Sequence, residues 1–302
     1  MPIVIPKEIP AFPVLKKENV FVMPVKRAAA QDIRPIEIAL VNLMPTKVET
    51  ETQIMRLLAN TPLQVNLTLI KTATYKSTNV SVDHMERFYK TFDEIKEQKF
   101  DGMIITGAPV ENMEFNDVLY WEELKDILDY ADKNVTSTIY ICWGAQAALH
   151  HYFGINKIAL PQKMFGIFPN RATVQYDPLL KGLNDTFNIP HSRHTRIDED
   201  AVRNEKKLRV LAEGEDCGLS IVKTRDDKKF FFFGHSEYDR ETLKNEYLRD
   251  KSKGLSIDQP KNYFIDGNIH NIDYSWNSTA NLLFYNWLNH YVYQVTPFNL
   301  ED

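Results

Sequence analysis

The fold is decided by one stretch of the chain, Ile139-Tyr-Ile-Cys-Trp-Gly-Ala-Gln-Ala-Ala148. Its β-branched and aromatic residues predict a strand that ends near Cys142, and residues 145–149 are strong helix formers. A thiol at such a tight turn projects above the sheet, and the backbone N–H groups of the next helix point at whatever it attacks. The stretch therefore predicts a cysteine displayed as a nucleophile.

Strands and helices alternate on the N-terminal side of this stretch. Apolar patterns predict strands at residues 36–44, 65–70, 102–106 and 137–141, and helices at residues 49–59, 88–98 and 118–131. This alternation predicts a mostly parallel central sheet flanked by helices, which is a three-layer α/β fold. Ligands of such sheets bind at the carboxyl ends of the strands, where Cys142 lies.

The two ends of the chain differ in character from its middle. After Phe153 we expect shorter strands at residues 172–175, 208–212, 219–222 and 230–233, helices at residues 241–249 and 277–291, and a loop at residues 251–274. Residues 1–35 contain six prolines, and only residues 23–33 have a helical pattern. We interpret residues 1–35 as an N-terminal arm that wraps the domain or a second subunit, and residues 36–302 as a single α/β catalytic domain.

The composition excludes several classes of partner. The chain has 302 residues, 43% hydrophobic and 25% charged residues, and a net charge of −5, which disfavours binding to a nucleic acid. No apolar run approaches the roughly 20 residues that span a membrane, and no secretory signal pattern is present. We therefore expect a cytoplasmic protein with a reduced Cys142 and a small-molecule partner. The second cysteine, Cys217, enters an apolar strand and is interpreted as a small buried hydrophobe.

A base for the thiol is predicted directly after a strand of four phenylalanines, in the segment Gly234-His-Ser-Glu237. Residues two apart in an extended segment point the same way, so His235 and Glu237 are expected to face one site. There the carboxylate would orient the imidazole. A lone histidine is more often structural, but the cysteine turn favours a catalytic role here.

The order Cys142, His235, Glu237 resembles the catalytic triad of class I glutamine amidotransferases, which have a flavodoxin-like fold. Other segments are similar to the homoserine O-acyltransferases of methionine biosynthesis. These segments are Val41-Asn-Leu-Met-Pro-Thr-Lys47, Thr106-Gly-Ala-Pro-Val-Glu111, Lys163-Met-Phe-Gly166, His191-Ser-Arg-His-Thr195 and Gly234-His-Ser-Glu-Tyr-Asp239. The resemblance extends from about residue 35 to residue 288.

The resemblance implies a reaction in two steps. Cys142 would take an acetyl group from acetyl-CoA as a thioester, and His235, held by Glu237, would move protons while the acetyl group passes to the hydroxyl of L-homoserine. We expect the N–H of Trp143 to bind the tetrahedral oxyanion. A second donor is expected near Lys47, with an exposed loop amine as an equally weighted alternative for its side chain.

The resemblance also implies substrate contacts at Lys163, Ser192 and Arg249. Homoserine is a zwitterion, and Arg249 can grip its carboxylate with two N–H donors. Glu246, three residues earlier on the predicted helix, is our candidate for the ammonium group. Without the resemblance, the Glu246/Arg249 pair would be interpreted as a surface salt bridge and Lys163 as an ordinary surface lysine.

Glu111 is expected to choose the acyl donor. The resemblance implies that a glutamate at this position accompanies acetyl-CoA and that a small residue accompanies succinyl-CoA. The carboxylate of a succinyl group would meet a like charge there. The alternative is therefore a homoserine O-succinyltransferase.

A glutaminase of the amidotransferase type and a redox sensor that uses Cys142 as a thiol switch are also compatible with the cysteine turn. Pairs of histidines at residues 150–151 and at residues 191 and 194 lack further ligands at metal-binding spacing. We expect no metal and no cofactor, with acetyl-CoA as a co-substrate. A homodimer formed through the N-terminal arm is a further hypothesis.

Overall fold

The computed structural model of the chain describes residues 3–18, 20, 22–28, 34–74 and 80–296. The strands are β1 (Ile3–Val4), β2 (Val22–Met23), β3 (Ile36–Val41), β4 (Val65–Ile70), β5 (Tyr89–Lys90), β6 (Phe100–Ile105), β7 (Val135–Ile141), β8 (Lys157–Ala172), β9 (Thr186–Ile197), β10 (Leu208–Gly214), β11 (Gly218–Thr224) and β12 (Lys229–Phe232). The α-helices are α1 (Ala11–Lys17), α2 (Val25–Ala28), α3 (Lys47–Leu58), α4 (Val82–Phe88), α5 (Trp121–Asn134), α6 (Trp143–Phe153), α7 (Glu199–Asn204), α8 (Thr242–Ser252) and α9 (Asn277–Asn286). Short 3₁₀ helices lie at Phe92–Glu94, Phe115–Asp117, Pro178–Leu180 and Ile265–Gly267, and a π-helix at Trp287–Tyr293 continues α9.

Within the described residues the strands form one sheet in the order β2-β1-β4-β3-β6-β7-β12-β11-β10-β8-β9, with β5 beside β4. The pairs from β2 to β12 are parallel, and those from β12 to β9 are antiparallel. Helices α3 and α9 cover one face of the sheet, and α5 and α6 cover the other. Side chains of β3 alternate between these two cores, as a buried strand requires. The predicted three-layer α/β fold is confirmed.

The N-terminal residues contribute to the sheet and to its core. Ile3 pairs with Val65 of β4, and Val22 pairs with Ile3 at the sheet edge. The prediction that only residues 23–33 have a helical pattern is wrong, because α1 begins at Ala11. Pro13 lies in the first turn of α1, where a proline costs no hydrogen bond. Residues 29–33 lie outside the described part of the chain.

The predicted helix at residues 88–98 is also wrong. Helix α4 begins earlier, because the side chain of Ser81 accepts a hydrogen bond from the His84 N–H and caps the helix. Tyr89 and Lys90 then pair with the end of β4 as strand β5. The Tyr89 hydroxyl donates to buried Glu51 over 2.5 Å, which holds this segment against the sheet.

A long antiparallel hairpin, β8 and β9, replaces the short strand predicted at residues 172–175. Strand β8 ends at Ala172, and its register with β9 shifts between Ala159 and Met164. The prolines and polar residues of this segment give no regular alternation, so the hairpin could not be read from the sequence. The three other predicted strands after Phe153 are confirmed as β10, β11 and β12.

The described residues contain no membrane-spanning helix, and both of their cysteines are free thiols. None of the helices is long and apolar enough to cross a membrane. Cys142 and Cys217 are both buried free thiols, and Cys217 is 2% exposed, as expected for a small buried hydrophobe.

Candidate active site

Cys142 occupies a strained turn between β7 and α6. Its φ of 50° and ψ of −115° lie outside the conformations that non-glycine residues commonly adopt. Its N–H donates to the Phe232 carbonyl over 2.7 Å, which fixes the turn against β12. A Cβ on Gly144 would come within 2.6 Å of the Thr106 carbonyl oxygen, so a glycine is required for α6 to approach β6. The predicted strand–turn–helix is confirmed.

His235 and Glu237 lie beside Cys142 because β12 is the parallel neighbour of β7. Phe232 pairs with Ile141, so the residues that follow both strands meet at the carboxyl edge. His235 Nδ1 donates to Glu237 Oε1 over 2.7 Å, and both side chains are buried. The segment is a turn rather than the extended chain that we expected, and the turn itself brings the carboxylate to the ring.

The electrostatics of this group favour a protonated imidazole in the resting state. Burial by itself would lower the pKa of His235, but interactions with Cys142 and Glu237 outweigh burial. The pKa is therefore raised well above its ordinary value. Gly107 lies against the same pair, because a Cβ there would be 3.3 Å from Cys142 Cβ and 3.5 Å from His235 Cε1.

The two residues proposed for the oxyanion are placed differently. Trp143 is the first residue of α6, so its N–H has no acceptor within the helix and is free to face a ligand. The Lys47 side chain is buried and donates to the carbonyls of Asn42 and Met44, over 2.5 and 3.4 Å, in the loop whose residues 44–46 line the cavity. Burial lowers the pKa of Lys47 to about 8, although the charge of Glu51 raises it. Lys47 is therefore not the exposed amine of the alternative interpretation, and its role as a second oxyanion donor stays a prediction.

A cavity of about 420 Å³ opens above Cys142. Seven of the ten residues that the sequence singled out line it, namely Glu111, Cys142, Lys163, Ser192, His235, Glu246 and Arg249. Glu237, Trp143 and Lys47 lie behind its wall. The hairpin β8/β9 and the helix α8, which supply four of the seven, are far apart in sequence from the cysteine turn.

One wall of the cavity carries a network of opposite charges. Glu246 accepts from the Ser192 hydroxyl over 2.6 Å, and Lys163 lies 3.6 Å from the same carboxylate. Arg249 pairs with Asp250 over 2.7 Å rather than with Glu246, and Lys163 Nζ also donates to Asp250 over 3.1 Å. The wall thus presents cations and a carboxylate together, as a zwitterionic ligand requires.

Two residues of the site were not predicted from the sequence. Asp250 is 7% exposed and joins Lys163 to Arg249, and its spacing of four from Glu246 places both acids on one helix face. Tyr238 stacks on the His235 ring at 4.2 Å and donates its hydroxyl to Glu246 over 2.9 Å. The i, i+4 spacing could have revealed Asp250, whereas no sequence pattern distinguished Tyr238.

Glu111 is held at the cavity wall by strand β9. Its Oε2 accepts from the His194 N–H over 2.7 Å and from the Thr195 N–H over 3.3 Å. The ammonium of Lys157 donates to the Glu111 backbone carbonyl and fixes the loop that carries it. The carboxylate therefore occupies a small anion-binding position on the cavity wall.

The fold is that of the class I glutamine amidotransferase-like proteins. A glutamine amidotransferase from Thermotoga maritima superposes with a TM-score of 0.59 at 10% identity, over 84% of this chain and 97% of that one. A glutamine amidotransferase from Methylobacillus flagellatus gives 0.57 at 15% identity, over 85% and 95%. At these identities the likeness shows the fold alone.

The sequence comparisons are more specific. The family model described as homoserine O-succinyltransferase matches residues 2–298. Homoserine O-acetyltransferase 1 of Ilyobacter polytropus is 53% identical over the whole of both chains, and a homoserine O-acetyltransferase of Acetivibrio thermocellus is 54% identical over 100% of this chain and 99% of its own. The chain belongs to the homoserine O-acyltransferase family.

Proposed function

We propose that the protein transfers an acetyl group from acetyl-CoA to the hydroxyl of L-homoserine and so forms O-acetyl-L-homoserine for methionine biosynthesis. The observation that carries the proposal is a single cavity in which Cys142 and His235 face a wall of cations and carboxylates suited to a zwitterion. Full-length relatives named homoserine O-acetyltransferase support the same reaction.

In the first step the Cys142 thiolate attacks the thioester carbonyl of acetyl-CoA. The tetrahedral oxyanion accepts the N–H of Trp143, and the loop that contains Gly107 is near enough to supply a second backbone donor. The C–S bond to CoA then breaks, and His235 gives its proton to the departing thiolate. This leaves an acetyl thioester on Cys142 and a neutral imidazole.

In the second step the neutral His235 removes the proton of the homoserine hydroxyl. The hydroxyl oxygen attacks the acetyl carbonyl, and the bond to Cys142 breaks to give the thiolate, the ester product and a protonated imidazole. Glu237, hydrogen-bonded to Nδ1, keeps the other ring nitrogen directed at the substrate and stabilises the protonated ring.

Homoserine is oriented by the charged wall of the cavity. Lys163 and Arg249 supply positive charge for its carboxylate, and Ser192 supplies a hydroxyl. Glu246 offers an acceptor to its ammonium group. Tyr238 contacts both Glu246 and the His235 ring. It therefore fixes the group that binds the ammonium relative to the base that acts on the hydroxyl.

The acetyl donor is favoured by Glu111. Its carboxylate already accepts the N–H groups of His194 and Thr195, so the position that could hold an acyl-chain anion is filled by the protein itself. The carboxylate of a succinyl group would meet this like charge, at a cost on the order of several kcal/mol. Acetyl carries no such charge.

Release of free CoA and formation of the ester test the proposal together. We expect acetyl-CoA alone to release one equivalent of thiol per chain and continuous thiol release to require homoserine, with O-acetylhomoserine detected by mass spectrometry. Faster turnover of succinyl-CoA would instead indicate a homoserine O-succinyltransferase, and ammonia release from glutamine would indicate a glutaminase. Both substrates are small metabolites of the cell interior, so we propose a cytoplasmic location.

A further inference from the structure

Arg193 is a buried cation for which the proposed reaction has no role. It lies on β9 between Ser192 and His194, which line the cavity, but its own side chain faces inward and is 1% exposed. Its Nη2 donates to the Cys217 carbonyl over 2.7 Å, and its Nε has no hydrogen-bond partner. Across the described residues no carboxylate pairs with it. A guanidinium stays charged, so its burial requires a compensating anion.

The neighbours of Arg193 on the same face of β9 indicate where that anion lies. Thr195, two residues further on, donates its hydroxyl over 2.9 Å to Gln146, near the start of the helix that follows Cys142. His191, two residues before, packs beneath Gly234, since a Cβ there would be 3.1 Å from the His191 ring. Arg193 thus lies between the element that begins at Cys142 and the segment that carries His235.

The remaining titratable groups near Arg193 are weaker candidates for the anion. Burial lowers the pKa of Arg193, and the largest interaction that opposes this is the negative charge of Cys142, followed by Cys217, Glu199 and Glu111. Cys217 has its pKa raised by burial, which keeps that thiol neutral. Glu111 is already satisfied by backbone N–H groups of β9, and Glu199 is only partly buried, in the first turn of α7, where water can solvate its charge.

We propose that Arg193 is the buried counter-charge of the Cys142 thiolate and a positioning residue for catalysis. In the resting site Glu237 and the thiolate carry two negative charges, and His235 and Arg193 carry two positive charges, so the buried group is neutral. Without Arg193 the same group would hold one uncompensated negative charge, which would favour a protonated, unreactive thiol.

The same charge helps the second step, an inference that rests on the proposed acetyl transfer. When Cys142 becomes a thioester its negative charge is gone, and Arg193 remains. The group then carries an excess positive charge unless His235 gives up its proton, which it does to the departing CoA thiolate. Arg193 therefore favours a neutral His235 at the stage where it must act as a base.

Alkylation of Cys142 by iodoacetamide between pH 5 and pH 10 tests the proposal in the whole protein. The site of reaction is assigned by peptide mass, and the uncharged Arg193→Gln is compared with the charge-retaining Arg193→Lys. In Arg193→Gln we expect the midpoint of the pH profile to rise by about one unit or more, and alkylation below the midpoint to slow about tenfold. Arg193→Lys should stay closer to the wild type. No acyl-CoA is used, so the result is independent of the proposed function.

A folded Arg193→Gln protein with the wild-type profile would overturn the proposal and leave only the bond to the Cys217 carbonyl. Circular dichroism and the melting temperature establish the folding. Should Arg193→Gln fail to fold, the double variant His235→Asn/Glu237→Gln provides the test, because it removes one positive and one negative charge and leaves Arg193 as the counter-charge of the thiolate. We expect its midpoint to stay below the value of about 8.5 for a free thiol, and a midpoint at or above that value would contradict the role.

Discussion

His235 interacts with both Cys142 and Glu237, and its protonation depends on both. Cys142 and Glu237 raise its pKa against the opposing effect of burial. Removing the thiolate in Cys142→Ala eliminates the larger of the two raising interactions, so the pKa of His235 must fall. The imidazole then loses its proton at a lower pH than in the wild type. We expect the shift in a titration of ¹⁵N-labelled histidine followed by NMR.

Cys217→Ala is the matched control for this titration, since Cys217 is also a buried free thiol but is not among the groups that shift the His235 pKa most. Its His235 titration should coincide with that of the wild type. An unchanged titration in Cys142→Ala would show that the thiol carries no charge in the resting protein.

Asp250 pairs with both Lys163 and Arg249, the two cations of the charged cavity wall. Burial would raise the pKa of this carboxyl, but bonds from Arg249 and Lys163 lower it, so the acid is ionised at neutral pH. In Asp250→Asn both cations lose their shared partner, and we expect the KM for homoserine to rise about tenfold while the KM for acetyl-CoA changes little. Initial-rate kinetics with each substrate varied in turn measure the two KM values.

Asp258→Asn is a suitable control for Asp250→Asn, because Asp258 is an exposed acid that lines a different depression of the surface. Equal changes in both KM values for Asp250→Asn, or none, would show that the acid does not organise the homoserine site.

At the scale of single residues, the sequence could predict which side chains meet but not all of their directions. Cys142, His235 and Glu237 could be grouped because they follow neighbouring parallel strands. Lys47 could not be oriented, since its side chain turns inward to the carbonyls of the loop before α3. Tyr238 was missed because stacking on a histidine leaves no pattern in the sequence.

The turn from β7 into α6 depends on one glycine. A Cβ on Gly144 would approach the carbonyl oxygens of Thr106 and Ile105 to 2.6 and 3.0 Å, and these backbone atoms cannot move aside cheaply. We expect Gly144→Ala to lower the free energy of unfolding by about 1–3 kcal/mol and to slow acylation of Cys142. Denaturant unfolding and a single-turnover assay with acetyl-CoA measure the two effects.

Gly154→Ala, at the other end of α6, separates crowding from backbone strain. Its φ of 67° disfavours alanine, but no atom lies within 4 Å of the added Cβ. We expect the free energy of unfolding to fall by about 1 kcal/mol and the acylation of Cys142 to be unaffected. Equal acylation rates in the two variants would contradict a special role for Gly144.

At the scale of elements, the sequence predicted the buried strands better than the partly exposed ones. The central parallel strands β3, β4, β6, β7 and β12 are apolar runs, and they were predicted with small errors at their ends. The two-residue parallel strands β1, β2 and β5 were not predicted. The hairpin β8/β9 has mixed exposure, a register shift and internal prolines, so neither of its strands was predicted. The charged wall of the cavity could therefore be proposed only from the resemblance, because its position depends on that hairpin.

The N-terminal segment belongs to the main core of the molecule. Ile3, Ile5, Ile9 and Leu15 are at most 2% exposed and pack with the sheet and α3. Burying side chains of this size contributes about 1.5–3 kcal/mol each, and the net stability of a domain is only roughly 5–15 kcal/mol, so losing these side chains would be strongly destabilising. Truncation is thus a poor test of dimer formation, because it would destabilise the subunit itself.

Neighbouring residues of α1 test this assignment with less disturbance. Leu15→Ala should lower the free energy of unfolding by about 2–5 kcal/mol, since its side chain is fully buried. Val14→Ala should have an effect within about 1 kcal/mol, because Val14 is 42% exposed. A similarly small decrease in the free energy of unfolding for both variants would show that the N-terminal segment is a loosely packed arm. Light scattering on the intact chain then tests for the homodimer.

Intact-protein mass spectrometry after mixing with acetyl-CoA alone tests the thioester mechanism most directly. We expect one acetyl group per chain, located on Cys142 by peptide mapping, absent from Cys142→Ala, and discharged by homoserine but not by glutamine. Formation of O-acetylhomoserine by a protein that never carries the acetyl group, or by Cys142→Ala at the wild-type rate, would contradict the mechanism.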